Sequence, residues 1–306
     1  MRTKNMKRKG DISELIFYCC IIALPVLQVL IFYFYVNFNS ITMSFKEYNT
    51  LQDKFTWDWG KSNFPKLLND LKSFVLLDAL KNSLIVWVCT AVLGTFLSVL
   101  FSYYIYKKWF LGKTFKFFLF LPSVLPSILL VIVFKFFANE AIPGYFSELF
   151  KVTVYPLLKR GEATLFPTVV FYNVWVCFGA QLLIYTGAMD QIAPEIIEAG
   201  KVDGVSAMRE FFSIVLPMIL PTISTFVVAN VAMLFTNQAN LYAFFGDSNN
   251  VSFGNFTIGY YLFDLVNKAG NGKTMYTYAS ALGIICTMIA FPLTIGVRKL
   301  LDRGDE

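Results

Sequence analysis

The 306-residue chain is 57% hydrophobic and 15% charged, against about 25% charge in an average soluble domain, and its formal net charge is +6. It has no histidine, which removes the commonest general base, the neutral-pH switch and the imidazole metal ligand. The basic residues gather beside apolar blocks, so a membrane surface accounts for the net charge and no nucleic-acid partner is called for.

Crossing a bilayer core takes about 20 apolar residues in a helix. Six uncharged blocks approach or reach that length: 15–36, 84–106, 117–134, 165–189, 214–235 and 276–297. None alternates as a barrel strand would, so an all-α integral membrane fold with six transmembrane helices is expected. The first block is long for a signal core and no small-residue cleavage site follows it, so it reads as a retained anchor helix. The third is the shortest, and it is expected to continue past Lys135 with that side chain snorkelling outward. The five cysteines, Cys19, Cys20, Cys89, Cys177 and Cys286, all fall in these blocks and read as small buried hydrophobes. Pro25, Pro122, Pro126, Pro217, Pro221 and Pro292 lie inside spans, where packing shape is the first explanation and hinging the second.

Charge orients the chain. The opening MRTKNMKRKG, the stretch YKKWFLGKTFK and the closing RKLLDRG are all basic, and six spans place them on one side. The positive-inside rule makes that side the cytoplasm, with both termini there. The expected organisation is a basic tail at 1–14, an anchor span at 15–36 and an extracellular segment at 37–83. A five-helix core at 84–297 and a cytoplasmic tail at 298–306 complete it. Within the extracellular segment, 64–80 has apolar residues at helical spacing and reads as a helix lying on the outer surface.

The cytoplasmic loop 190–213 carries the strongest signal. It contains a helical stretch from Pro194 to Val202, then Asp203-Gly204, then a second amphipathic turn leading into the fifth span. Asp-Gly favours a turn because glycine accepts positive φ without steric cost. The expected result is a helix–turn–helix stalk with Glu198, Ala199 and Gly200 exposed, small enough for a partner surface to approach.

This stretch resembles the coupling loop of the permease subunits of ATP-binding-cassette importers. That pattern reads Glu-Ala-Ala, then Asp-Gly-Ala, then Ile-x-Leu-Pro at the start of the next span. Glu198, Ala199, Asp203, Gly204, Ile214, Leu216 and Pro217 match in type and spacing, whereas Gly200 and Val205 replace alanines. SFKEYN at 44–49, ALKNSLI at 79–85, FFLFLPSVLP at 117–126 and YASALG at 278–283 extend the similarity. It is closest to the first permease of carbohydrate-type pairs, the kind represented by the larger membrane subunit of the maltose importer.

The resemblance implies a type I importer permease in a bacterial cell membrane, with Glu198, Ala199, Gly200, Asp203 and Gly204 docking on an ATPase. It implies a second, related permease subunit, two ATPase subunits that bind ATP and magnesium, and an extracellular solute-binding protein. No cofactor is expected in this chain. Lysine outnumbers arginine and Phe and Asn are common, which hints at an AT-rich, Gram-positive source and hence a lipid-anchored binding protein.

The solute path is read from polar residues inside spans, which are costly there and often functional. Asn173 and Gln181 lie on one face of the fourth span, with Trp175 nearby, and Asn237 and Gln238 follow the fifth. Neutral donors and acceptors beside aromatic faces suit an uncharged sugar. Similarity to the maltose importer puts its contacts in these same two spans. The alternative for these residues is interhelical hydrogen bonding.

Two other functions fit the residues less well. An ion-coupled carrier of a small neutral solute would ordinarily keep an intramembrane acid or histidine, and the six blocks hold none. An enzyme would need an acid–base pair, an activated nucleophile or a metal cluster. The sequence GNGKT at 270–274 lacks the first glycine of a phosphate loop and reads as an exposed turn.

Overall fold

A computed structural model describes residues 2–72, 74–246, 254–268 and 273–302. Six helical stretches in it are long and apolar enough to cross a membrane: Ile12–Ser44, Phe74–Tyr106, Ser127–Phe150, Leu165–Met189, Ala207–Ala232 and Thr274–Leu301. The fourth falls where its apolar block predicts. The second begins earlier than predicted, at Phe74, because Leu76 and Ala79 are already buried in its first turns.

The third span is displaced from the predicted block. Helix Gly112–Val124 ends where Leu125 becomes extended (ψ 143°) ahead of Pro126, and a new helix starts at Ser127. The residue before a proline is pushed out of helical geometry, and proline is well suited to open the next helix. Lys135, expected to snorkel outward, instead donates from Nζ to the carbonyl oxygen of Phe244 at 2.7 Å. Apart from Pro126, the span prolines sit within helices or, for Pro217, in a first turn.

The chain divides into two units. The first, residues 1–67 and 269–284, contains the first span, a hairpin and the opening of the last helix. The hairpin was not anticipated: β1 (Lys46–Asn49) pairs antiparallel with β2 (Lys54–Trp57). Asn63 ties it down, donating from Nδ2 to the carbonyls of Ser44 (3.0 Å) and Lys46 (2.8 Å) and accepting from the Thr277 hydroxyl (3.4 Å). The predicted surface helix at 64–80 is split: Asn63–Asp70 is one helix, and Phe74 onward belongs to the second span. Of the GNGKT turn, Gly270, Asn271 and Gly272 lie outside the described residues. Its Lys273 is exposed and pairs with Asp53 at 2.8 Å. That ammonium, with the Tyr48 hydroxyl, holds the Asp53 carboxyl below its usual range.

The second unit, residues 68–268 and 285–306, packs the second span against the fourth. Small and hydroxyl side chains make that approach close: Ser102 donates to the carbonyl of Leu182 (3.1 Å), and Ser98 to that of Gly94 (2.7 Å) and to Gln181 Oε1 (3.2 Å). Helix Ile258–Lys268 docks on the start of the second span. Asn82 donates to the carbonyls of Gly254 and Phe256, and the Ile258 amide donates to Ser83. Of the five cysteines, all free, Cys286 is buried within the protein, whereas Cys19 and Cys20 lie in the first span with no protein covering them.

Candidate functional site

Helix Pro194–Val202 leaves the fourth span as a stalk. Pro194 sits at its first position, where the missing N–H costs nothing. Its far end closes in a Schellman arrangement. The Gly204 amide donates to Lys201 (3.1 Å) and the Val205 amide to Gly200 (2.9 Å), with Gly204 at φ +72°. Ser206 then caps helix Ala207–Glu210, its hydroxyl accepting from the Arg209 amide at 3.4 Å. The predicted helix–turn–helix is therefore present.

Glu198, Ala199, Asp203 and Gly204 are exposed on this stalk. So are three apolar side chains, Ile196 (41%), Val202 (88%) and Met208 (66%). Gly200 is a correction. It is buried, and a Cβ built there would lie 3.1 Å from Ile214 Cδ1, so its smallness serves internal packing rather than partner approach. Ile197 faces the same way, into an apolar cluster with Val99, Tyr103, Tyr185, Phe211 and Val215.

At the stalk's foot is a feature the sequence reading missed. Glu210 is 3% exposed, and both its oxygens accept from Lys107 Nζ, at 2.8 and 3.0 Å. The Tyr103 hydroxyl lies 3.1 Å from Glu210 Oε1 and 2.9 Å from the carbonyl oxygen of Ala207. The only sequence hint was a lone acid immediately before an apolar block, opposite a run of lysines.

The polar residues expected to line the solute path separate into two groups. Asn173 is buried and its amide is fully occupied. It donates to the carbonyls of Val169 (2.8 Å) and Ala239 (2.9 Å) and accepts from Asn240 (2.9 Å). These bonds hold Ala239 and Asn240, both at positive φ, against the fourth span. Gln181 is likewise buried and takes a bond from Ser98. Trp175 lies in an aromatic cluster with Phe134 and Tyr172. Gln238 is half-buried, with its carbonyl oxygen accepting from the Leu241 amide.

Asn237 is different. It is exposed, its Oδ1 accepts from the Ala239 amide (2.8 Å), and it borders a small polar pocket with Ser83, Trp87, Thr90 and Asn230. Trp87 Nε1 is buried without a hydrogen-bond partner. An unmade bond on a buried donor costs about 1–3 kcal/mol. Trp87 and Asn230 were not singled out in the sequence. Ser83, Trp87 and Thr90 recur at helical spacing in an otherwise apolar block, which is the signal that could have found them.

Six apolar spans, a small polar pocket between them and an exposed stalk are the features of a multi-pass membrane protein. Residues 91–304 match the binding-protein-dependent transport system inner membrane component, and the chain belongs to that family. It is a multi-pass membrane protein. It is 24% identical over 280 residues to the multiple sugar-binding transport system permease protein MsmF of Streptococcus mutans, covering 91% of each chain. It is 25% identical over 196 residues to the maltose/maltodextrin transport system permease protein MalF of Salmonella typhimurium, covering 61% of this chain and 37% of that one. A crystal structure of a bacterial ABC transporter importing the acidic polysaccharide alginate contains a chain of the same fold. Its TM-score is 0.76 at 19% identity, covering 98% of this chain and 100% of that one. Membership of a binding-protein-dependent family stands against the ion-coupled carrier.

Proposed function

We propose that this chain is one permease subunit of an ATP-driven importer, forming half of the path for a sugar or oligosaccharide. A solute-binding protein delivers the solute from outside, and a second, related permease completes the path. Two cytoplasmic ATPase subunits bind ATP and magnesium and supply the power. The stalk lies on their side of the membrane, as the basic flanks of the spans argue. The observation that carries this reading is the exposed tip formed by Glu198, Ala199, Val202, Asp203 and Gly204 on a rigidly capped helix. An apolar, acid-flanked tip of that kind fits a cleft in a partner chain better than it fits water.

The sugar assignment rests on the polar pocket and on the sugar systems to which the relatives belong. A neutral indole donor, two asparagines and two hydroxyl side chains can hydrogen-bond a polyol without requiring a charge on it. Asn237 best fits direct contact with the solute, together with Trp87 and Asn230. Asn173 and Gln181 act as the scaffold behind it.

The test is a Gly204→Trp importer, purified with its partners and reconstituted in vesicles. The bulky side chain lands on the tip, in a conformation that costs an L-residue about 1–2 kcal/mol. Insertion should persist, while ATPase retention and solute uptake should fall together. Uptake at the unsubstituted rate would sink the docking assignment.

A further inference from the structure

A buried carboxylate needs strong compensation, and an ion pair inside a protein is rarely a better glue than apolar packing of the same volume. The foot of the stalk already has such packing, with the Tyr103 and Phe211 rings 4.9 Å apart at the edge of the apolar cluster. Yet Glu210, Lys107 and the Tyr103 hydroxyl are brought together there. What they add is direction. Two bonds from one ammonium to both carboxylate oxygens fix the rotation of the short helix Ala207–Glu210 against the last turn of the second span, as loose apolar contacts do not.

The second span also carries Ser83, Trp87 and Thr90, one wall of the polar pocket. From Thr90 to Lys107 is about 25 Å along a helix rising ~1.5 Å per residue. Beside the pocket the same span contains a π-helical stretch, Cys89–Gly94, a local loosening often found where helices must adjust. We infer that Lys107, Glu210 and Tyr103 form a clamp that makes the second span the connecting rod between stalk and solute pocket. A displacement of the stalk then moves Trp87 and Thr90, not only the fourth and fifth spans to which the stalk is covalently joined. The three are positioning residues and touch neither solute nor nucleotide. This inference rests on the docking role of the stalk.

The experiment uses the complete importer, with its partner permease, ATPase subunits and binding protein, in sealed vesicles. ATP hydrolysed per solute imported is measured for Lys107→Met, for Glu210→Gln, and for the reversed pair Lys107→Glu with Glu210→Lys. Each single variant should raise that ratio about five-fold or more, and the reversed pair should bring it back towards the unsubstituted value. Should a single variant fail to assemble, the neutral pair Lys107→Met with Glu210→Gln leaves no lone buried charge and keeps the side-chain volumes. It should assemble and remain uncoupled. An unchanged ratio in the assembled single variants or in the neutral pair would overturn the clamp while leaving docking intact. Failure of the unsubstituted chain to retain any ATPase subunit would overturn both.

Discussion

Asn173 and Asn237 have the same side chain and opposite situations. Every polar atom of the Asn173 amide is used within the protein, on Val169, Ala239 and Asn240. Replacing it with leucine releases the left-handed pair at 239–240 and should lower stability by about 0.6–2 kcal/mol. Thermal unfolding of the purified chain in detergent checks this, and solute preference should be retained. At Asn237 the side chain is exposed beside the pocket, and only the backbone carbonyl is closely packed, 2.6 Å from where a Cβ on Gly259 would lie. Asn237→Leu should therefore weaken solute-stimulated transport, or shift the preferred sugar, with a smaller stability loss than Asn173→Leu. Trp87→Phe removes the unpartnered indole donor and should act in the same direction. If transport kinetics across a panel of sugars are indifferent to both, the pocket takes no part in recognition.

At the scale of elements, Gly200 decides whether the stalk can lie against the fifth span. Gly200→Val puts branched carbons where even a single Cβ comes within 3.1 Å of Ile214, and such overpacking costs about 1–3 kcal/mol. Tilting of the stalk should reduce uptake, and a compensating Ile214→Val should restore part of it. That outcome separates internal packing from contact with a partner, since the second change lies inside this chain. The stalk itself was legible because its signals are local: a proline opening a helix, Asp-Gly closing it, a serine capping the next. So were most of the spans, whose apolar runs are set by the bilayer. What escaped depends on residues far apart in the chain. Lys135 was expected at the surface because nothing nearby announces Phe244 as its acceptor. Glu210 is paired with a lysine on the second span, and the inward face of Gly200 is set by Ile214. The hairpin at 46–57 has short strands with mixed polarity, and its anchor, Asn63, reaches it through backbone carbonyls that a residue pattern does not display.

For the whole molecule the decisive question is which side of the membrane holds the stalk. The basic runs RTKNMKRK, YKK and RKL adjoin spans directly, where the charge bias is felt most, and an even number of spans places all three with the stalk. The proposed orientation puts the hairpin and helix Asn63–Asp70 on the outer side. A variant lacking the five native cysteines allows this to be read with single new ones. Glu195→Cys, at the exposed start of the stalk helix, should react with a membrane-impermeant maleimide only after the cells are opened. Gln52→Cys, in the turn between the strands, should react on intact cells. Reaction of Glu195→Cys on intact cells would reverse the topology. It would part the stalk from any ATP-driven partner, because nucleotide is available only within.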